Sequence, residues 1–247
     1  MNKKWECIEL DNEKIKNVEK IENEYGISNL LAKILVNKNL IKKEDIDLFL
    51  KPTRHDFHNP YLMPDMALAI DRIIKAINNK EKILIYGDYD VDGITSITVV
   101  KNFLLERGAD VTQYIPNRLD EGYGLNKEAI KKIADEGVNL IITVDCGISG
   151  IEEVDYANSL GLEVIVTDHH EVGEVLPNAI AVIDAKRKDS TYPFRELAGV
   201  GVGFKLIQAI AQRLELEERE YLKYLDIVCI GTISDIVPLV DENRVIA

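Results

Sequence analysis

Cysteine is scarce in this chain. Cys7, Cys146 and Cys229 are the only three in 247 residues, and no two stand in a CxxC spacing. An odd count without paired spacing reads as free thiols in a reducing cytosol. Long apolar runs are missing too. None approaches the ~18 residues of a membrane span, and no apolar stretch of signal-peptide type follows Met1 to Glu6. The expectation is a soluble, cytoplasmic protein. Basic residues are outnumbered, 30 Lys and Arg against 43 Asp and Glu, for a net charge of −13. That balance argues against a simple basic face for nucleic acid, but not against a site where metal ions supply the positive charge. Internal repeats and low-complexity segments are absent. What is present is apolar content of 46%, enough for a sizeable core.

The pattern along the chain changes near residue 80. Residues 1–80 read as a helical lead-in. Leu30, Leu31, Ile34 and Leu35 recur at helical spacing, and Ile46, Leu48 and Leu50 do so less cleanly. A loop with Pro52, Pro60 and Pro64 follows. A helix is expected from about Asp65 to Asn78, with Met66, Ala69, Ile70, Ile73, Ile74 and Ile77 on one side. From Lys82 onward short apolar runs of strand type appear, at 83–86, 111–115, 140–144, 164–167 and 180–183. Helical patterns separate them at about 94–107, 126–136 and 149–160, and two more follow at about 202–213 and 217–230. Ser149 to Glu152 has capping-box spacing. The alternation predicts an α/β fold, a mostly parallel sheet flanked by helices over residues 81–247.

The acids carry the functional signal. Asp88, Asp90 and Asp92 come directly after the first strand run, Asp145 after the third, and Asp168-His169-His170 after the fourth. Ligands of open parallel sheets bind at the carboxyl ends of strands, so these groups are expected to gather on one edge. Carboxylates that close repel one another, and a divalent cation removes the penalty. Oxygen ligands with an imidazole suit Mn²⁺ or Mg²⁺. One Asp after a strand is ordinarily a turn residue or helix cap, but the whole set with adjacent histidines is not explained that way.

Other motifs are weaker. Asp88 to Gly93 opens like a calcium-binding EF-hand loop, but the twelfth position is Val99 where that loop needs Glu, and a strand precedes it. Asp235, before Pro238, is ordinarily structural when taken alone, and so are His55 and His58 in their proline-bounded loop. Gly199-Val200-Gly201-Val202-Gly203 lacks the context of a dinucleotide site; a tight turn with amides facing a phosphate is the functional reading of Gly201. Arg118 is placed to contact phosphate and Tyr123 to stack on a base, although each also fits an ordinary surface or packing role.

Gly87 to Gly93, Val144-Asp145-Cys146-Gly147, Asp168-His169-His170 and Ser234 to Leu239 occur in the order of the four motifs of the DHH phosphoesterase superfamily, which the chain resembles. Within it the chain looks like the N-terminal part of the RecJ-type single-stranded-DNA-specific exonucleases. Phe49 to Pro52, Met63 to Met66, Pro116 to Leu119 and Leu197 to Val202 also match that branch. The resemblance implies two divalent ions, Mn²⁺ or Mg²⁺, held by Asp90, Asp92, Asp145, His169 and Asp235, with Asp145 bridging. Asp88 matches the motif as a ligand or as the neighbour of one. His170 is implied to face the scissile phosphate, and Asp168 to orient a neighbour or the attacking water. The implied activity is 5′ to 3′ exonuclease digestion of single-stranded DNA in repair and recombination. The implied partners are a single-stranded-DNA-binding protein and a repair helicase.

Two other readings stay open. One is a superfamily member that cleaves short oligonucleotides, cyclic dinucleotides or pyrophosphate. The other is an inactive DNA-binding scaffold, which should have lost metal ligands, whereas every expected position is filled. Nothing here matches the second lobe or the oligonucleotide-binding domain of the RecJ branch. The chain is therefore expected to be a fragment truncated within its phosphoesterase domain, binding metal but holding DNA weakly. Two divalent ions bring its charge only from −13 to −9.

Overall fold

The computed structural model describes residues 10–118, 122 and 124–247. Cys7 and Tyr123 lie outside the described residues. The chain divides into two compact units, Met1–Asp56 and Phe57–Ala247.

Among the described residues the first unit holds three α-helices, α1 (Asn12–Tyr25), α2 (Asn29–Asn37) and α3 (Lys43–Leu50). Asp11 caps α1 by accepting the Lys14 amide at 2.8 Å, and Gly26 ends it at φ 63. Ser28 caps α2 in the same way. These are the polar residues that helix starts favour, because their oxygens satisfy amides that lack an intrahelical partner.

The second unit runs α4 (Met66–Asn79), β1 (Lys82–Gly87), α5 (Val91–Leu105), β2 (Asp110–Tyr114), α6 (Lys127–Asp135), β3 (Leu140–Val144), α7 (Ile151–Ser159), β4 (Glu163–Thr167), β5 (Ala181–Ile183), α8 (Gly199–Arg213), α9 (Arg219–Leu222), α10 (Leu225–Ser234) and α11 (Asp241–Ile246). The described strands form one parallel sheet in the order β2-β1-β3-β4-β5. Alternate residues feed two cores. Ile83, Ile85, Ile142 and Ile165 face a core shared with α4, α5 and α8. Leu84, Tyr86, Ile141 and Val164 face one shared with α6 and α7. Burial on both faces explains why these strands read as unbroken apolar runs.

Several boundaries differ from those the sequence suggests. The compact division falls after Asp56 rather than near residue 80. Met66, Ala69, Ile70, Ile73 and Ala76 of α4 are buried in the same core as β1, so this helix belongs to the sheet's unit. α5 begins at Val91, because Asp90 serves as its N-cap. α8 begins at Gly199, so the glycine-rich stretch is a helical first turn and not a free tight turn. The cap of α7 lies one residue beyond the expected one, with Gly150 at the N-cap position, Ser149 outside it and the helix starting at Ile151. The helix expected over 217–230 is two, α9 and α10, broken at Lys223-Tyr224.

Candidate active site

Register places the site. Gly87 pairs with Val144, Val144 with Thr167, and Thr167 with Ile183. The next residue on each strand is an aspartate: Asp88, Asp145, Asp168 and Asp184. Neighbouring strands lie about 4.8 Å apart, so the four form a row along the carboxyl edge. The chain order reverses between β1 and β3, which is where ligands of open α/β sheets bind. Asp184 was not singled out in the sequence, although the rule that found the others applies to it. The apolar run 180–183 ends directly at an acid. Asp184 is fully buried, its Oδ1 accepts the Lys186 amide at 2.7 Å, and burial pushes its carboxyl up to about 7.

His169 sits among the acids from three other elements. Its Nε2 is 3.2 Å from Asp145 Oδ1 and 3.9 Å from Asp92 Oδ2, and its Nδ1 is 3.7 Å from Asp235 Oδ2. One donor atom each from Asp145, His169 and His170 lies within 4.8 Å of the others, and the same holds for Asp92, His169 and Asp235. Burial, then the charges of Asp90 and Asp168, push Asp145 up to about 8. Burial and the neighbouring Asp145 push Asp92 up to about 7. Asp235 is also raised, first by burial. Asp145 adopts φ 58, a left-handed conformation that is costly for a residue with a side chain. Asp88 is buried, and its Oδ1 has no hydrogen-bond partner among the described residues. Asp90 is the exposed member. Its carboxylate accepts the Gly93 amide at 2.9 Å, and with Asp92 and Asp235 it lines an open cavity of about 200 Å³.

Helix starts hold the acids in place. The Gly199 and Val200 amides at the head of α8 donate to the two oxygens of Asp92, at 2.7 and 2.8 Å. A β-carbon on Gly199 would stand 2.4 Å from Asp145 Oδ1, and one on Gly93 would stand 2.4 Å from the Asp88 carbonyl oxygen. Both glycines are needed for this approach. The amides suggested for a phosphate are thus occupied by Asp92, and Gly201 is buried against Leu197.

Asp168 anchors the third motif. Its oxygens accept the amides of Ile148, His169 and His170 at 2.9, 2.7 and 3.2 Å. They also take the His170 ring Nδ1 at 2.6 Å. That ring bond raises His170 to about 9. Burial raises Asp168, but His170 and the amides outweigh it and leave the carboxyl below its ordinary value. His170 and Asp168 line a cavity of about 230 Å³ with Ser149, Glu153, Leu125 and Ile148. Arg118 is exposed, its guanidinium 5.4 Å from the Tyr89 ring. Cys146 is buried in the core on the α6–α7 face, and burial pushes its thiol far up. His58 pairs with Asp241 at 2.7 Å.

Residues 82–232 match the model of the DHH family, N-terminal domain. The chain belongs to the DHH family. This DHH chain is 46% identical over 244 residues to the single-stranded-DNA-specific exonuclease RecJ of Bacillus subtilis (strain 168), across 99% of the chain and 30% of that protein. With RecJ of Escherichia coli (strain K12) it shares 38% identity over 188 residues, 72% of the chain and 33% of that protein. Among solved structures it resembles RecJ of Thermus thermophilus in complex with Mn²⁺, with a TM-score of 0.74 and 29% identity over 94% of the chain and 32% of the other. Exonuclease RecJ bound to manganese matches with a TM-score of 0.68 and 37% identity, over 74% of the chain and 46% of the other. The chain thus spans about a third of the length of the relatives it matches. No helix among the described residues is long and apolar enough to cross a membrane.

Proposed function

We propose that this DHH chain binds two divalent ions, Mn²⁺ or Mg²⁺, and hydrolyses phosphodiester bonds of single-stranded DNA from the 5′ end. The carrying observation is the cluster of buried Asp92, Asp145 and His169 with half-buried Asp235, in which burial and mutual repulsion push the Asp92 and Asp145 carboxyls up to about 7 and about 8. A cation relieves that cost, and carboxylate oxygens with one imidazole are donors that Mn²⁺ and Mg²⁺ accept. The buried, unpartnered Oδ1 of Asp88 fits the same reading. Asp90, Asp92, Asp145, His169 and Asp235 would hold the ions, with Asp88 beside them. When bound, the ions supply Lewis acidity and lower the pKa of water.

The chain's own residues do the rest. Asp168 keeps His170 protonated near neutral pH and fixes its ring, so the imidazolium donates to an oxygen of the scissile phosphate. Arg118 contacts a phosphate further along the strand. The RecJ names and the manganese-bound structures of the relatives support this substrate and these ions. The reading assigns the chain to DNA repair and recombination in the cytoplasm. A helicase would expose the strand there, and a single-stranded-DNA-binding protein would coat it.

A panel of labelled single-stranded DNA, duplex DNA, dinucleotides and pyrophosphate, each with Mn²⁺, tests the proposal. The expected result is Mn²⁺-dependent release of mononucleotides from the single strand alone, lost in Asp145→Ala. Preference for pyrophosphate or dinucleotides, or a rate that Asp145→Ala retains, would overturn it.

A further inference from the structure

Asp235 stands where the backbone turns sharply. It caps the end of α10, and the next residue, Ile236, adopts φ 60 with a side chain 88% exposed. A β-branched residue in left-handed conformation is strained, and an exposed one recovers nothing by packing. Asp241, five residues on, is also left-handed at φ 47. Something must hold segment 236–241 in this form. Two consecutive polar side chains of α11, Glu242 and Asn243, are both fully buried. Asn243 Nδ2 donates to the carbonyl oxygens of Pro238 at 3.0 Å and Glu196 at 2.5 Å. Glu242 Oε1 accepts from Lys205 Nζ at 2.7 Å and from the His58 amide at 2.9 Å, and Oε2 accepts from Tyr192.

Lys205 connects this anchor to the other side of the site. It lies in the middle of α8, the helix whose first two amides grip Asp92. One rigid helix therefore sets Asp92 at its head and, through Lys205 and Glu242, the segment that follows Asp235. A buried ion pair adds little net stability, because desolvation of both charges offsets their attraction. Fixing one geometry is the role that remains.

We propose that Lys205, Glu242 and Asn243 are positioning residues that hold the Asp235 carboxylate at its distance from Asp92. The inference rests on the metal-binding reading above and adds residues to it that touch no ion.

The test is Mn²⁺ affinity, measured by electron paramagnetic resonance of the free ion at a temperature where every variant is folded. Asn243→Ala and Glu242→Gln are each expected to weaken Mn²⁺ binding about 10–100-fold, the range seen when residues supporting metal ligands are lost. The same changes made on an Asp235→Ala background are expected to weaken it no further, because they act through that carboxylate. Ile133→Val, in the core on the far face of the sheet, should leave affinity unchanged even where it lowers the melting temperature. Wild-type affinity in both Asn243→Ala and Glu242→Gln would overturn the proposal, as would an equal loss with and without Asp235. A wild-type chain that binds no Mn²⁺ would instead overturn the metal reading on which it stands.

Discussion

Removing the charge of Asp145 is expected to stabilise the metal-free protein. Asp145→Asn is isosteric, and Asn tolerates the left-handed conformation at φ 58 that this position requires. The amide keeps an oxygen toward His169 Nε2, 3.2 Å away. Burial, then Asp90 and Asp168, raise the carboxyl to about 8. A carboxyl whose folded pKa lies above its unfolded value binds more protons folded than unfolded. Its contribution to stability therefore falls as pH rises from about 4 to about 8. At pH 7 that is about three pH units, or about 4 kcal/mol. Asp92 shares the repulsion, so relieving one partner gives about 2–4 kcal/mol. Urea unfolding in EDTA at pH 5, 7 and 8 measures this directly. The gain should be small at pH 5 and near full at pH 7 to 8. Mn²⁺ at about 1,000 times its dissociation constant should offset or reverse the gain, since an ion at that level stabilises the folded wild type by about 4.1 kcal/mol. A variant less stable than wild type in EDTA at pH 8, or a gain independent of pH, would refute the reasoning.

Three further outcomes follow from the same geometry. Gly199→Ala puts a methyl 2.4 Å from Asp145 Oδ1; overpacking should cost about 1–3 kcal/mol and weaken Mn²⁺ binding about 10–100-fold, and thermal unfolding with a Mn²⁺ titration would expose unchanged affinity as a failure. Ile236→Asn relieves strain at φ 60 in an 88% exposed side chain, so it should add about 1 kcal/mol, and a lowered melting temperature would count against the strained-turn reading. Cys146→Ser should keep Mn²⁺-dependent turnover, because the thiol is buried with its pKa far above neutrality and its Sγ lies 3.8 Å from the Tyr86 carbonyl oxygen; inactivity of the folded variant would show a role for sulfur.

The sheet was legible because β1, β3 and β4 are buried on both faces, which leaves unbroken apolar runs in the sequence. The acids were legible because a parallel sheet sends every such run toward the same edge. Asp184 obeys that rule, but β5 has only three residues and no histidine follows, so nothing drew attention to it. The start of α8 was obscured by local propensity. Three glycines in five residues read as a loop, whereas close approach to Asp145 and the grip on Asp92 make a helix there. The link from Lys205 to Glu242 spans 37 positions and has no periodic signature. Nor does the tie between Arg187 and Asp65, which joins the segment after β5 to the start of α4. Such pairs appear only when topology brings their elements together.

The acids and the histidine at the sheet edge are proposed to form a two-ion site. Anomalous diffraction from crystals of the chain soaked in Mn²⁺ tests it most directly. Two anomalous peaks about 4 Å apart are expected, within bonding distance of Asp90, Asp92, Asp145, His169 and Asp235. Peaks elsewhere on the surface, or none at a concentration that supports turnover, would contradict it.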